Sequence, residues 1–209
     1  MRSFSPTQGR SFGSSIWAPD NPGIATVQSM IFSSSAHNAG NTITGSGTVS
    51  TGSGSAIGAS SLSNTGHGTG KYYWEWIGTT LGAYPLWGLC NGNTSGFYDN
   101  YMGGTSQGCS FPSDGSAAYV AGMTSAGYVL PLMSSGDIVG GCVDLGAGKV
   151  WFHRNGVYPS GGNPSTGTNP AFTFTPSGTY YTGISQQTGN VTTISAAFKY
   201  AIPLGFLPW

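Results

Sequence analysis

Glu75 is the first candidate for chemistry, and it stands alone. It sits between Trp74 and Trp76, with no second acid two residues away. Glycoside cleavage needs two carboxylates facing each other across a sugar. The other acids, Asp20, Asp99, Asp114, Asp137 and Asp144, do not pair with it or with one another at that spacing. The competing reading of Glu75 is a buried carboxylate bonded to backbone or to a cation such as Lys71. His37, His67 and His153 lie in unrelated segments. No Gly-x-Ser-x-Gly elbow stands between a strand and a helix, and Ser53 lies in a low-complexity field. His153 is expected to point off the edge of a hairpin. Cys90, Cys109 and Cys142 lack zinc-ligand spacing. The acids are too dispersed for a calcium loop. Gly146–Lys149 runs into Val150, so it reads as a turn and not a phosphate loop. The expectation is no catalytic residue, no metal and no cofactor.

Binding is what remains. Phe97, Tyr98, Asn100 and Tyr101 form one aromatic and amide loop group; Tyr158, Asn163, Asn169 and Phe172 form another. Such side chains stack on and hydrogen-bond to a sugar or a protein. The alternative is that they pack their own long loops.

These loops need a scaffold, and Gly136–Tyr158 provides its centre. Ile138–Leu145 and Lys149–His153 are apolar, β-branched runs separated by Gly146, Ala147 and Gly148, which predicts a hairpin. Asn155-Gly156 predicts a second tight turn and the start of a third strand. Lys71–Ile77 alternates Tyr72, Trp74 and Trp76 against Tyr73, Glu75 and Ile77, so both faces are expected to be covered. Tyr84–Cys90, Ala117–Met123 and Tyr128–Met133 read as strands, 91–116 and 159–178 as long loops. Tyr180–Gln186 and Asn190–Ser195 read as a hairpin around Thr188-Gly189. In the Ser/Gly/Thr field of 24–69, single apolar residues alternate with polar ones at 42–44, 48–50 and 60–63, which favours short strands over a linker. No helix is expected. Residues 1–23 carry Pro6, Pro19 and Pro22 and the isolated anchors Phe4, Phe12, Ile16 and Trp17. They read as an extended arm for assembly, lying on a neighbour or on its own domain.

The chain of 209 residues suits one β-sandwich, with 6 Trp, 11 Tyr and 10 Phe to fill it. Net charge is +0, and the basic residues Arg2, Arg10, Lys71, Lys149, Arg154 and Lys199 are too dispersed to follow a phosphate backbone, so no nucleic-acid partner is expected. No apolar run is long enough to span a bilayer, and the first 30 residues lack a signal-peptide core, so no membrane partner is expected. The odd cysteine count fits folding in a reducing cytoplasm, with a Cys90–Cys109 pair left open.

Gly136-Asp137-Ile138-Val139-Gly140, Asp144-Leu145, Gly148-Lys149-Val150-Trp151-Phe152 and Asn155-Gly156-Val157 together resemble the core signature of SPRY domains. Gly70–Glu75 resembles the opening motif of that family, and Ser113-Asp114-Gly115 a turn found in it. Gly162-Asn163-Pro164, Thr168–Phe172, Tyr180-Tyr181, Phe198–Tyr200 and Gly205-Phe206 resemble its bacterial and phage version. The likeness spans roughly 70–206; Thr192–Ser195 departs from the Asn-Phe-Gly often found in the last strand. The resemblance implies an all-β, antiparallel, jelly-roll-like sandwich of the SPRY and concanavalin-like type over 24–209, with an extended N-terminal arm. It also implies a non-enzymatic bacteriophage virion surface protein made in the host cytoplasm. In that role the chain would be a tail-fibre receptor-binding or capsid decoration module. Its partners would be other virion proteins, further copies of itself or host surface glycan. The alternative is an intracellular peptide-binding adaptor of the SPRY type.

Overall fold

The structure, a computed structural model, describes residues 27–53, 59–92, 101–104 and 107–209. The Ser/Thr-rich field forms β1 (Phe32–His37), β2 (Asn41–Thr44), β3 (Val49–Gly52) and β4 (Ser60–Ser63). The aromatic stretch forms β5 (Lys71–Thr80) and β6 (Leu86–Asn91), followed by β7 (Gly108–Pro112), β8 (Tyr119–Ala121) and β9 (Thr124–Ser125). The central hairpin is β10 (Ile138–Asp144) and β11 (Lys149–Arg154). The chain closes with β12 (Phe172–Thr173), β13 (Tyr180–Ser185), β14 (Val191–Thr193) and β15 (Leu207–Pro208). The helical segments among the described residues are three-residue 3-10 turns.

Two antiparallel sheets stack as a sandwich. One is six-stranded, in the order β1-β4-β13-β6-β7-β8. The other is nine-stranded, β2-β3-β14-β5-β10-β11-β12-β9, with β15 joining β5 in parallel. The predicted hairpin pairs Asp144 with Lys149 and Val139 with Arg154. Its outer turn needs positive φ twice, and Asn155 (φ 50°) and Gly156 (φ 78°) supply it.

The structure differs from the sequence reading at four places. Val157 makes one bridge to Arg154 and then leaves the sheet, so β12, not a strand at 157, pairs with β11. β7 lies inside the span read as a 91–116 loop. Residues 128–133 carry no ladder, since Pro131 has no N–H to give one. The turn at 186–190 is not a hairpin: β13 belongs to the six-stranded sheet and β14 to the other, so the chain changes layer there.

Alternation on β5 sends Trp74 and Trp76 into the interlayer, against Trp87, Phe111, Phe152 and Phe172. Burying one such ring contributes roughly a few kcal/mol before entropy is counted. Tyr73 and Glu75 face the other way, under a C-terminal strap of residues 196–209 whose Phe198, Ile202 and Phe206 cluster with Tyr73, Cys142 and Trp151. Both faces of β5 are therefore covered, one by a sheet and one by the strap. On β10 the consecutive Gly140 and Gly141 make room for a ring on each face: His153 on the strap side and Trp74 inside.

β5 also carries a join made by one side chain. β15 pairs with it at Tyr72 and Tyr73, and β14 from Ile77 onward. Glu75 lies between, and Gln28 fills the gap. The Gln28 Nε2–H donates to the Glu75 carbonyl at 2.9 Å, and its Oε1 accepts the Glu75 N–H at 2.9 Å. A carboxamide thus takes the place of a strand residue and leaves neither backbone group unpaired.

Candidate functional site

Glu75 and His153, the groups closest to chemistry, belong to a closed network under the strap. Tyr73 O–H donates to Glu75 Oε1 at 2.5 Å, Lys199 N–H to Oε2 at 2.8 Å, and Tyr200 N–H to Oε1 at 2.9 Å. Glu75 is thus bonded to backbone, as one of the two readings had it, while Lys71 pairs with Asp144 at 2.8 Å. His153 does not point off the hairpin edge; it is 1% exposed. The space its ring occupies exists because residue 140 is glycine. Gly156 N–H donates to His153 Nδ1 at 3.0 Å, so Nδ1 carries no proton. Nε2–H then donates to Tyr73 Oη at 2.9 Å. Burial pushes the His153 pKa down to about 4. Burial, then Glu75, pushes the Tyr73 hydroxyl upward. Every reactive atom here is spent on another protein atom and shielded from substrate.

This imidazole sets a pH dependence of stability. A histidine in the unfolded chain takes a proton near pH 6.5, whereas folded His153 resists until about pH 4. Between those values the unfolded state binds more protons, so stability falls as pH falls. The loss expected by pH 4 is about 3 kcal/mol. Burial lowers His67 as well, adding in the same direction. Denaturant unfolding at pH 7, 5.5 and 4 measures it; a midpoint unchanged over that range refutes the assignment.

The cysteines are free and buried, with Cys90 and Cys109 on neighbouring strands and not bridged. Burial pushes all three thiols up, which leaves them poor nucleophiles.

Leu204 and Leu207 are exposed on the strap, while three other exposed apolar groups, Tyr84, Leu132 and Val157, lie at one end of the sandwich. Register places them: Leu86 pairs with Pro112 and Ser185, Ile77 with Ile138, and Val139 with Arg154. The loops after β5, β7 and β11 and the one before β10 therefore meet. Asn190 grips the first of them from both sides, its Oδ1 accepting Gly82 N–H at 2.8 Å and its Nδ2 donating to the Ala83 carbonyl at 2.9 Å. Ser113 N–H donates to the Pro85 carbonyl at 3.0 Å, and Met133 N–H to that of Ser113 at 2.8 Å. Leu81 N–H donates to Ser135 Oγ at 3.0 Å.

On this stitched frame Tyr84 is held at φ 51° with 51% of its surface exposed. A non-glycine residue kept in the left-handed region is strained, and such strain concentrates at functional positions. Tyr84 and Leu132, the latter 65% exposed, border a hollow of about 370 Å³ with Ser113 and Asp114 on its rim. Pro131 leads into a second hollow of about 360 Å³ with Arg154, Asn155, Val157 and Pro159. Arg154 is tied to Asp137 at 2.7 Å. Burial raises the Asp137 carboxyl, but bonds from Ser134 N–H, Asn155 and Arg154 outweigh this and hold it below its usual range. A wider cleft of about 770 Å³ lies between β1 and β2, lined by Ile31, Phe32 and Ile43 as well as by serine, threonine and asparagine side chains. Its Phe32 is buried, so it offers no exposed aromatic anchor.

The residues singled out from sequence are spread over several places. Phe97, Tyr98 and Asn100, and the arm residues Phe4, Phe12, Ile16 and Trp17, lie outside the described residues. Tyr101 packs edge-on against Tyr119 with centroids 5.0 Å apart. Phe172 is buried in the interlayer, so it packs the core and does not face a ligand. Tyr158 is half-buried, its hydroxyl 3.1 Å from Cys142 Sγ. Asn163 caps the 3-10 turn at 164–166. Asn169 donates to the Ser160 carbonyl at 3.2 Å and lines a hollow of about 350 Å³ with Tyr128, Ser160 and Pro170. Tyr84, Leu132 and Val157 were not among them.

Similar folds are found among solved structures. The SPRY domain of human HERC1 superposes with a TM-score of 0.61 at 17% identity, over 81% of this chain and 99% of that one. The TRIM65 PSpry domain gives 0.55 at 14%, over 79% and 91%. A human SPRY domain gives 0.54 at 13%, over 77% and 98%. The chain therefore has a SPRY-like β-sandwich fold. No protein-family model matches it, and no curated protein does. No helix among the described residues is long and apolar enough to cross a membrane.

Proposed function

We propose that this chain is a non-catalytic binding module that holds a protein partner on the loop surface around Tyr84, Leu132 and Val157. The observation that carries this is the strained, half-exposed Tyr84 on loops fixed by Asn190, beside two adjoining apolar hollows. Tyrosine is one of the residue types in which binding hot spots are enriched, and a rigid frame lowers the cost of presenting it. Likeness in fold to SPRY domains supports a binding module over an enzyme. The 162–172 segment, in its resemblance to phage modules, supports a virion as one setting, with residues 1–23 attaching the module to the particle and host glycan as a further ligand.

The test is selection of a displayed random peptide library on the purified full-length chain and on the double variant Tyr84→Ala, Leu132→Ser. Both substitutions are at exposed positions, so the melting temperature is expected to hold within about 2 °C. The wild type should enrich binders, and the variant should bind them at least tenfold more weakly. Equal enrichment on both proteins sinks this site. Binding of the same chain to intact bacterial cells and to stripped viral particles, side by side, tests the virion setting.

A further inference from the structure

We propose that His153 is a proton-operated latch joining the C-terminal strap to the 154–159 turn, so that acidification loosens both together and releases whatever is held at Val157. The regulatory half of this statement rests on the binding surface proposed above; the coupling itself does not.

The geometry makes His153 the shared support of the two segments. Its Nδ1 accepts the N–H of Gly156, within the turn that presents Val157 and Pro159 to one hollow. Its ring lies edge-on to Tyr200 of the strap, centroids 5.4 Å apart. Tyr200 also covers Gly156 so closely that a Cβ there would sit 2.5 Å from the Tyr200 ring. On the other side Nε2–H reaches Tyr73, whose hydroxyl shares Glu75 with the strap amides of Lys199 and Tyr200. Turn, imidazole, tyrosine, carboxylate and strap form one continuous chain of contacts.

A proton from solvent can enter only at the Nδ1 lone pair, because Nε2 already carries one. Adding it turns that acceptor into a donor. The Gly156 N–H then faces an N–H and loses its bond, and a buried cation is created next to the Tyr200 ring. Around the imidazole stand Tyr73 and Glu75 from β5, Cys142 from β10, Tyr158 after the turn, and Tyr200 from the strap. Of these Glu75 alone is a carboxylate, and its oxygens already accept three hydrogen bonds. The imidazolium can reach new acceptors only by moving the ring, and the ring is what Gly156 and Tyr200 rest on.

Amide hydrogen exchange on the full chain tests the coupling without any partner. After correction for intrinsic rates, protection of Gly156, Lys199 and Tyr200 should fall together, at least tenfold, as pH drops from 6.5 to 4. Protection in β6 and β13 should hold. In His153→Asn the amide oxygen can stand where Nδ1 stood but does not titrate, so the same amides should keep their protection. Ring-nitrogen NMR of wild-type His153 covers the case in which that variant fails to fold. Its titration midpoint should coincide with the loss of strap protection. Strap amides that stay protected while His153 titrates overturn the latch, as does loss of protection only with the whole sandwich. A peptide selected on the loop surface, free of His, Asp and Glu, should then bind about tenfold more weakly at pH 3, a full unit below the His153 value of about 4, than at 6.5 to wild type. Unchanged binding refutes the release step. If selection yields no peptide, the binding reading has failed and the exchange experiment still decides the latch.

Discussion

Replacing Glu75 by alanine is expected to detach the strap and to lower the thermal midpoint by roughly 6–20 °C, on the scale of about 2–4 °C per kcal/mol for a chain this long. Three donors converge on this carboxylate: Tyr73 O–H, Lys199 N–H and Tyr200 N–H. Removing the acceptor strands all three beneath a covered surface, at about 1–3 kcal/mol for each that water cannot reach. A net loss of about 3–5 kcal/mol follows once partial hydration is allowed. Glu75→Gln keeps an acceptor oxygen and should lose less. Thermal unfolding with limited proteolysis at the strap measures both effects. Protease resistance of residues 196–209 equal to that of wild type contradicts the tether.

Gly141→Ala is expected to cost at least about 3 kcal/mol, at the upper end of what overpacking a filled core does. The added Cβ would lie 2.2 Å from Cζ2 and 2.4 Å from Cε2 of Trp74, the middle of a rigid ring. Trp74 has nowhere to go, being packed edge-on against Trp76, Phe152 and Trp209. Relief would require β10 to leave β5, the pairing that centres the sheet. Denaturant unfolding decides the matter; a loss under about 1 kcal/mol would mean that the indole has slack the structure does not show.

The parts of this fold that were legible from sequence are those where local chemistry and long-range pairing agree. Asn155-Gly156 can hardly do anything but turn, and the runs flanking it pair as their alternation requires. Thr42–Thr44, Val49-Ser50 and Ser60–Ser63 also form strands, although their serines belong to a low-complexity field. There the interlayer is bridged by polar bonds, Gln186 Nε2 donating to Ser50 Oγ at 2.9 Å and Ser50 meeting Ser61 at 2.9 Å. Turn chemistry does not encode which sheet the next strand joins, so Thr188-Gly189 read as a hairpin. Pro131 was a legible warning against a strand at 128–133. Tyr84 was not legible in the same way. A residue before proline is biased toward extended backbone, and its loop is held by distant partners, Asn190 more than a hundred positions away together with Ser113 and Ser135. The candidate surface is built from such distant contacts, which is why Tyr101, Tyr158 and Phe172, the described aromatic loop residues that stood out in sequence, are found elsewhere.

The Gln28 join bears on how the domain would answer to force. Val27 bridges Ala197, Gln28 is bound to Glu75, and Trp209 N–H is bound to the Tyr73 carbonyl at 2.9 Å. Both points of attachment thus fall on one strand, two residues apart. A pull applied between Val27 and Trp209 would load the short stretch of β5 from Tyr73 to Glu75, together with the Trp209 indole packed against Trp74. The first bonds to carry the load would be the Gln28 carboxamide pair and the Trp209 amide, bonds that can re-form. Extension would thus begin along β5 and reach the aromatic interlayer through a single ring.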